Sequence, residues 1–336
     1  MKIKHYTIPV FIPMQACPFR CIFCDQEKIS GHTKIPGPQD VAQTIRDYLT
    51  TIPKENTVVE VGFFGGTFTG LAAELQQTYL TTVQPFIETK QIQGVRLSTR
   101  PDFIDRPKLA LLKKYNVTTI ELGAQSMDED VLKRSGRGHT ANDTIIAATM
   151  IRENGFRLGL QMMVGLPGDN AEKSVATATK FVEMKALDVR IYPALVIKGT
   201  PLERLYNSGK FSPLGLAASV DTVAKVYRIF ENANINIIRT GLHPSDGLIS
   251  GEELVAGPFH VSFKELVLTK LWQEELDKLF RGGAKEWIKI FVAPGQVNYA
   301  VGHQSKNKNA LLAKYNRVQF KTDHSLTGRQ YYVDIS

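Results

Sequence analysis

The chain has 336 residues, 43% hydrophobic and 22% charged, which is the composition of a globular protein and not of a disordered one. Its length allows one large domain and a smaller one. It contains no apolar run of about 18 residues, and its first residues lack the apolar core of a signal peptide, so membrane insertion and secretion are not expected. Together with thiols that have no disulfide framework, this predicts a cytoplasmic protein.

The formal net charge of +8 is unevenly distributed along the chain. Residues 281–336 contain nine Lys or Arg residues and three Asp or Glu residues, which gives +6 of that total. A basic tail favours a polyanionic partner such as a nucleic acid, although basic surfaces also serve solubility.

The first two-thirds of the chain alternates β-rich segments with helical ones, which predicts a parallel sheet covered by helices. A helix is predicted at 39–49. The predicted strands are 10–13, 58–64, 94–100, 119–125, 158–164 and 189–196, with a looser seventh candidate at 235–239. Six βα repeats predict the fold class α/β, as a partial (β/α)6 TIM barrel. A Rossmann-type fold is the competing architecture, which strand count alone does not exclude.

Cys17, Cys21 and Cys24 are the only cysteines, and they lie within eight residues of one another. Thiolates clustered on one short loop bind soft metals, whereas a disulfide framework needs an even number of cysteines at distant positions. Three ligands would leave one iron of a four-iron cluster without a protein ligand and available to substrate. The alternatives are structural zinc, with His32 as a fourth ligand, and a redox or merely buried set.

Polar and glycine-rich segments follow the predicted strands at the point where each strand ends. They are 65–67, 98–100, 125–126 and 165–168. Because the chemistry of βα barrels lies at the carboxyl ends of the strands, these segments and the cysteine loop are predicted to line one mouth. Taken singly, each segment is also explained by a tight turn, an ion pair or a satisfied polar group.

Several segments together resemble one family. The spacing Cys-x3-Cys-x2-Cys, with an aromatic residue before the last cysteine, resembles the radical S-adenosylmethionine (radical SAM) superfamily. Over roughly residues 14–200 the chain resembles the radical-SAM part of the Elongator catalytic subunit, and more distantly the oxygen-independent coproporphyrinogen oxidases. The matching segments are 17–24, 65–68, 99–102, 123–126, 137–139, 165–168 and 190–193.

The resemblance implies two cofactors, a 4Fe-4S cluster on the three cysteines and SAM, which is cleaved to a 5′-deoxyadenosyl radical. It also implies an electron donor such as flavodoxin or ferredoxin. The implied SAM-binding residues are Phe23, Gly65, Gly66, Thr67, Ser98, Arg100, Gln125, Arg137, Gln161, Leu166 and Val196. Ser98 and Gln161 depart from the family pattern, since relatives carry carboxylates there. The acetyltransferase activity of the Elongator subunit is not expected.

The tail is predicted to form a connecting segment at 246–285 and a small domain at 286–336, after a barrel domain at 1–245. The order strand, helix, Gly302-led turn, helix, strand resembles the core of a KH RNA-binding domain, although Ser305 replaces the second glycine of the KH turn. The candidate RNA-binding residues are Gly302, His303, Lys306 and Lys308. A small basic cap is the alternative. His243 and His260 are candidates for acid–base or substrate contacts.

The leading interpretation is a radical SAM enzyme that modifies RNA, either tRNA or rRNA. One alternative is a radical SAM enzyme that acts on a small metabolite or a tetrapyrrole. The other is a non-catalytic protein that binds zinc and nucleic acid.

Overall fold

The structure is a computed structural model that describes residues 3–12, 17, 21–31, 34–279 and 285–335. It divides into two compact units, one built from residues 1–215 and 229–259 and the other from 216–228 and 260–336. This division differs from the predicted boundaries at 245 and 285. Residues 246–259 group with the first unit, whereas the rest of the predicted connecting segment groups with the second.

The described part of the first unit contains one seven-stranded sheet, all of whose neighbouring strands are parallel. Its strands, in spatial order, are β1 (Lys4–Phe11), β2 (Thr57–Phe64), β3 (Gly94–Thr99), β4 (Val117–Gln125), β5 (Arg157–Val164), β6 (Asp188–Pro193) and β8 (Asn236–Thr240). Two short strands, β7 (Val196–Ile197) and β9 (Leu254–Ala256), form a separate antiparallel pair.

Helices connect the strands. They are α1 (Gln26–Ser30), α2 (Pro38–Thr51), α3 (Ala73–Glu88), α4 (Arg106–Lys114), α5 (Glu129–Arg134), α6 (Ala141–Glu153), α7 (Ala171–Glu183), α8 (Pro201–Asn207), α9 (Leu216–Asn232) and α10 (Asp246–Ile249). Several begin where a side chain accepts a hydrogen bond from the first turn, as Asp105, Thr140 and Asn170 do. The predicted helix at 39–49 lies within α2.

The sheet curls into a partial barrel. The spatial order of the strands follows their order in the chain, without the reversal that defines a Rossmann fold. Side chains from distant strands meet on the inner face: the Arg190 guanidinium of β6 lies 5.0 Å from the centroid of the Phe64 ring of β2. Strands β2 and β6 are separated by three strands in the sheet, so this contact requires curvature. The predicted partial barrel is confirmed, and the Rossmann alternative is wrong.

Two details of the strand prediction are corrected. The barrel has seven strands in the described residues and not six, because the looser candidate pairs with β6 through Asp188 and Asn236. The first strand begins at Lys4 and ends at Phe11, and not at 10–13. Its polar residues and Pro9 hide the strand in the sequence, but continuous pairing with β2 establishes it. The predicted sixth strand stops at Pro193, so Val196 lies in β7.

An ionic network fills the inner face of the barrel. Arg96 lies 3.1 Å from Glu60, 2.9 Å from Glu121 and 3.4 Å from Asp188. The Nε of Arg190 lies 2.6 Å from Glu121. Burial alone would raise the pKa of Glu121, but Arg190 and Arg96 outweigh burial and lower it. Glu121 is therefore a charged carboxylate in the barrel interior, and it joins strands β3, β4 and β6.

The second unit has its own sheet and core. Its elements are α11 (Phe263–Asp277), β10 (Lys285–Val292), α12 (Val297–Val301), α13 (Lys306–Leu312), β11 (Tyr315–Thr322) and β12 (Tyr331–Ile335). In the sheet, β10 pairs in parallel with β11 and antiparallel with β12. Trp272 and Leu276 of α11 pack against Ile288 and Ile290 of β10. The predicted βααβ order is confirmed, whereas β12 was not predicted.

No helix in the described part of the chain is long and apolar enough to cross a membrane.

We expect Glu121→Gln to lower the free energy of unfolding by about 3 kcal/mol, because it leaves Arg190 buried without its carboxylate partner. Urea unfolding followed by circular dichroism measures this. Glu183→Gln is the matched control: its exposed pair with Lys180 is worth roughly 0.5 kcal/mol or less. Because the pKa of Glu121 is lower in the folded state, its contribution is present above pH ~4 and is lost as pH falls further. Equal losses in both variants would contradict a structural role for Glu121.

Candidate functional site

The cysteines follow the end of β1. Cys21 is buried, Cys24 is half-buried and Cys17 is exposed, and all three are free thiols. The backbone N–H of Cys24 donates to the carbonyl of Cys21 at 3.1 Å, which closes a tight turn between them. Burial, together with the charges of Cys21 and Cys17, raises the pKa of Cys24 to about 12. The three sulfurs therefore lie close enough to interact, and a cation among them would reverse that repulsion.

The segment after β2 lies against the cysteine loop. The Oγ1 of Thr67 lies 3.2 Å from the Sγ of Cys17. Gly65 has φ +103°, and a Cβ atom there would lie 3.1 Å from the backbone oxygen of Ile12, so only glycine fits this close approach. A cavity beside this segment is lined by residues that include Gly66, Thr67 and Ser98. The predicted segment thus lies at the mouth of the barrel.

Arg137 contacts a cysteine directly. It is buried, and its Nη1 donates to the Sγ of Cys21 at 3.1 Å while its Nη2 donates to the carbonyl of Gly123. The turn after α5 positions it, since its backbone N–H bonds the carbonyl of Leu132. A guanidinium on a sulfur favours the thiolate, the form that binds metal. This contact differs from the predicted role of Arg137, which was to bind the carboxylate of SAM.

An apolar wall surrounds the buried cysteine. Phe23, Leu166 and Val196 are buried and belong to one packed cluster with Cys21. Leu166 comes from the turn after β5, and Val196 comes from β7, which follows β6. The structure therefore brings these three predicted residues together beside the cysteines. Apolar side chains suit the flat face of a nucleobase and exclude water from it.

Gln125 stands in an uncommon conformation at the end of β4. Its φ is +67°, in the left-handed region that non-glycine residues rarely adopt. Its side chain is 91% buried, yet its Oε1 accepts no hydrogen bond from the described residues. A buried acceptor without a donor is costly unless a ligand supplies one. This supports the prediction that Gln125 contacts a bound cofactor.

Other predicted residues are engaged with protein groups. The Nε2 of Gln161 donates to the Oγ of Ser98 at 3.0 Å and to Glu121 at 3.1 Å. Arg100 binds Asp102 through two hydrogen bonds of 2.9 Å and 2.8 Å. Ser98 and Gln161 thus belong to the polar network inside the barrel, and Arg100 forms an ion pair beside it. Their roles toward SAM stay predictions.

Sequence reasoning missed the charged interior of the barrel. Glu121 lies in an otherwise apolar strand between Ile120 and Leu122, and an ionisable residue in such a position is the signal that would have indicated it. Arg239 of β8 pairs in register with Arg190. Burial lowers the pKa of Arg239, Tyr192 opposes that shift and Arg190 adds to it. Among the described residues, no carboxylate contributes to this balance.

The remaining candidates are two histidines and the Gly302 turn. The Nδ1 of His243 lies 3.1 Å from the Nη2 of Arg239, near the end of β8. In the second unit, the Nδ1 of His260 accepts from the backbone N–H of Ser262, and its ring meets the His303 ring edge to face at 5.4 Å. His243 is thus placed at the barrel mouth, whereas His260 lies in the other unit.

The Gly302 turn has the tight geometry that the KH resemblance implies. Gly302 has φ +86°, and a Cβ there would lie 2.9 Å from Thr269 Cγ2. The backbone N–H of His303 donates to the hydroxyl of Thr269 at 2.8 Å. Lys306 is exposed and Lys308 is half-buried at the start of α13. Whether these residues bind RNA stays a prediction.

The residues present fit an iron–sulfur cluster with an adenosine ligand. Soft thiol donors lie next to a guanidinium, an apolar wall and an unsatisfied amide oxygen. Among the described residues no three Cys, His, Asp or Glu side chains converge as a finished ligand set, so the cysteines are neighbours and not a preformed cage. His32, the fourth ligand of the zinc alternative, lies outside the described residues.

Comparison with known proteins agrees with this chemistry. The sequence profile of the Radical SAM superfamily matches residues 11–180, and that of the Radical_SAM C-terminal domain matches 188–273. The chain is 26% identical over 275 residues to the tRNA uridine(34) acetyltransferase of Dehalococcoides mccartyi, covering 68% of this chain and 59% of that protein. It is 27% identical over 215 residues to human Elongator complex protein 3, covering 55% of this chain and 39% of that protein.

Among solved structures, the archaeal Elp3 of Methanocaldococcus infernus superposes with a TM-score of 0.64 at 21% identity. The match covers 84% of this chain and 65% of that one. This likeness establishes the shared fold. The chain spans between two fifths and three fifths of the length of the two curated relatives described above.

His139, two residues after Arg137, is buried and supplies a pH test of the site. Burial and the charges of Arg137 and Arg100 lower the pKa of His139 to about 4. Since the unfolded value is ~6.5, the free energy of unfolding should fall by up to about 3 kcal/mol as pH drops from ~6.5 to ~4. In His139→Gln much of that pH dependence should disappear, as measured by urea unfolding at several pH values. An unchanged pH profile in the variant would show that His139 is not held neutral.

Proposed function

Because the chain belongs to the radical SAM superfamily, we propose that its three cysteines bind the 4Fe-4S cluster of this enzyme class and that its substrate is RNA. The family uses a 4Fe-4S cluster and SAM as cofactors. When bound, the cluster supplies the electron that cleaves SAM to a 5′-deoxyadenosyl radical. Everything else described below is the work of the chain itself.

The observation that carries the proposal is the environment of Cys21. One buried sulfur accepts a hydrogen bond from the guanidinium of Arg137 and packs against Leu166 and Val196. The guanidinium stabilises a thiolate, and the apolar wall excludes water and oxygen from a reactive carbon. A structural zinc site would not explain the unsatisfied Oε1 of Gln125 beside it.

Each residue at the mouth has a proposed role toward SAM. Gly65, Gly66 and Thr67 bind the amino group through backbone and hydroxyl contacts. Gln125 accepts a hydrogen bond from the ribose through its free Oε1. Phe23, Leu166 and Val196 border the adenine, which their shared cluster supports. Arg137 acts primarily on the Cys21 sulfur, because that is the contact it makes.

The RNA substrate is supported by two independent observations. The relatives include a tRNA uridine(34) acetyltransferase, which favours tRNA over other RNA. Residues 281–336 carry a net charge of +6, which suits a phosphate backbone. We further propose a flavodoxin or ferredoxin as electron donor and a cytoplasmic location, where thiols stay reduced. The proposal does not extend to the acetyl transfer for which the relatives are named.

One observation favours a second candidate, a small carboxylate-bearing metabolite or a tetrapyrrole. Arg239 faces the barrel interior beside Arg190 and Tyr192, and no carboxylate of the described residues balances its charge. An interior guanidinium suits a carboxylate of a small substrate. Under this alternative, Arg239→Gln would impair turnover without affecting RNA binding.

The class is tested by purifying the protein without oxygen, recording its visible spectrum, and measuring iron and sulfide. We expect a brown protein with about four irons that forms 5′-deoxyadenosine from SAM and dithionite. Cys21→Ala should lose most of the iron and all of the SAM cleavage. Ser250→Ala, an exposed change distant in sequence, is the control. Colourless protein that carries zinc and leaves SAM intact after reconstitution would refute the proposal.

The role of Arg137 is tested by Arg137→Gln. We expect a lower reduction potential for the bound cluster, because a hydrogen bond to a ligand sulfur has been lost. Redox titration followed by electron paramagnetic resonance measures it, and Arg137→Lys should recover part of the shift. Arg134→Gln is the matched control, since Arg134 is exposed and pairs with Asp130. A potential unchanged in Arg137→Gln would show that the contact with Cys21 does not persist in the holoenzyme.

A further inference from the structure

The sheet of the second unit has one face covered by its core and one face open to solvent. Ile288, Ile290 and Val292 of β10 are buried in the core with Val318 of β11. Because side chains alternate along a strand, the residues between them point to the other face. An antiparallel or mixed sheet with one solvated face usually presents polar residues there.

Here the open face presents three aromatic residues and three cations. The six residues are Trp287, Lys289 and Phe291 on β10, Arg317 and Lys321 on β11, and Tyr332 on β12. We call them the aromatic face. The strand register sets Trp287 opposite Arg317 and Phe291 between Lys321 and Tyr332. The six side chains therefore form a compact grid across all three strands.

The aromatic rings are held in position. Phe291 and Tyr332 stack at 4.6 Å between centroids with an interplanar angle of 10°. The hydroxyl of Tyr332 donates to Asp323 at 2.9 Å, which fixes the outer ring, although that side chain is 45% exposed. Lys289 lies 5.1 Å from the centroid of the Trp287 ring. Ordered rings on an exposed face lose little entropy when a planar ligand stacks on them.

The charge on this face is complementary to a polyanion. Arg317 and Lys321 are exposed on the edge strand β11, and Lys289 adds a third cation at the centre. Asp334 lies opposite Lys289 on the same face, so the carboxylate is outnumbered. Stacking rings interleaved with cations are the combination by which proteins bind single-stranded nucleic acid: the rings take the bases and the cations take the phosphates.

We infer that the aromatic face is a single-stranded RNA-binding platform. The inference rests on the proposed RNA substrate and deepens it: it assigns the contact to unpaired bases on the sheet and not to the Gly302 turn. A duplex hides the faces of its bases, so paired RNA would find only the cations. The segment recognised is therefore a loop or an unpaired end of the substrate.

The experiment uses the full chain and fluorescein-labelled oligouridylate, alone or annealed to oligoadenylate. We expect the single strand to raise the anisotropy and to quench tryptophan emission, because Trp287 is on the face whereas Trp272 is fully buried. The annealed duplex should bind more weakly. Tyr332→Ala should weaken binding of the single strand about tenfold, the typical loss for one stacked base. Tyr332→Phe should retain most of the affinity, because the ring remains.

Two further variants keep the test decisive even if a ring substitution unfolds the unit. Arg317→Gln with Lys321→Gln changes only exposed side chains, and should reduce the slope of log K against log salt by about 0.7 for each lost phosphate contact. Tyr48→Ala, at a tyrosine of similar exposure on α2, is the control and should bind as the parent does.

Three results would overturn the inference. They are binding unchanged in the Tyr332→Ala and Arg317→Gln/Lys321→Gln proteins, loss of binding only in Lys306→Gln/Lys308→Gln, and absence of RNA binding with self-association through this face. SAM cleavage without RNA is measured on the same preparations. Intact cleavage with RNA binding elsewhere defeats only the platform, whereas absent cleavage in the parent protein defeats the proposed enzyme class.

Discussion

The carboxylate of Glu121 is the constraint on which the barrel depends. It lies in the middle of the sheet, fully enclosed, and it binds Arg96 of a neighbouring strand and Arg190 of a strand two places away. A buried carboxylate is tolerated only when cations and hydrogen-bond donors surround it, and Gln161 supplies a further donor. A flat sheet could not bring these groups together. The ionic interior thus favours the curvature that gathers the strand ends into one mouth.

That mouth combines groups from every part of the first unit. The loop after β1 brings the cysteines, the segment after β2 brings Thr67, and the turn after α5 brings Arg137 to a cysteine sulfur. The turn after β5 and the strand β7 add the apolar wall. Each contribution comes from the carboxyl end of a strand or from the connection that follows it, which is where a βα barrel places its chemistry. The fold therefore explains how widely separated residues serve one site.

The second unit follows a different logic. It has its own core, built around Trp272 and β10, and it does not depend on the ionic interior of the barrel. Its core packs one face of a three-stranded sheet and leaves the other face to aromatic rings and cations. The first unit has the residues for radical chemistry, and the second has a surface suited to holding a substrate with bases and phosphates.

The sequence by itself determined the class of chemistry and most of the strands. Cysteine spacing is a local property, because three thiols on one short loop are neighbours in any fold. The alternation of β-rich and helical segments is likewise local, so the parallel sheet and the βααβ order were predictable. The first strand was misplaced because Pro9 and its polar neighbours mask the pattern, which only pairing with β2 restores.

Tertiary structure alone decided which partners each side chain has. Arg137 was expected at a carboxylate, but folding places its guanidinium on Cys21, 116 positions earlier in the chain. Ser98 and Gln161 look like separate polar residues at strand positions, and the curvature of the sheet joins them by a hydrogen bond. The aromatic face exists only because three strands align in register, which no single strand encodes. Contacts between distant residues depend on register and curvature, and both are set by the packing of the whole chain.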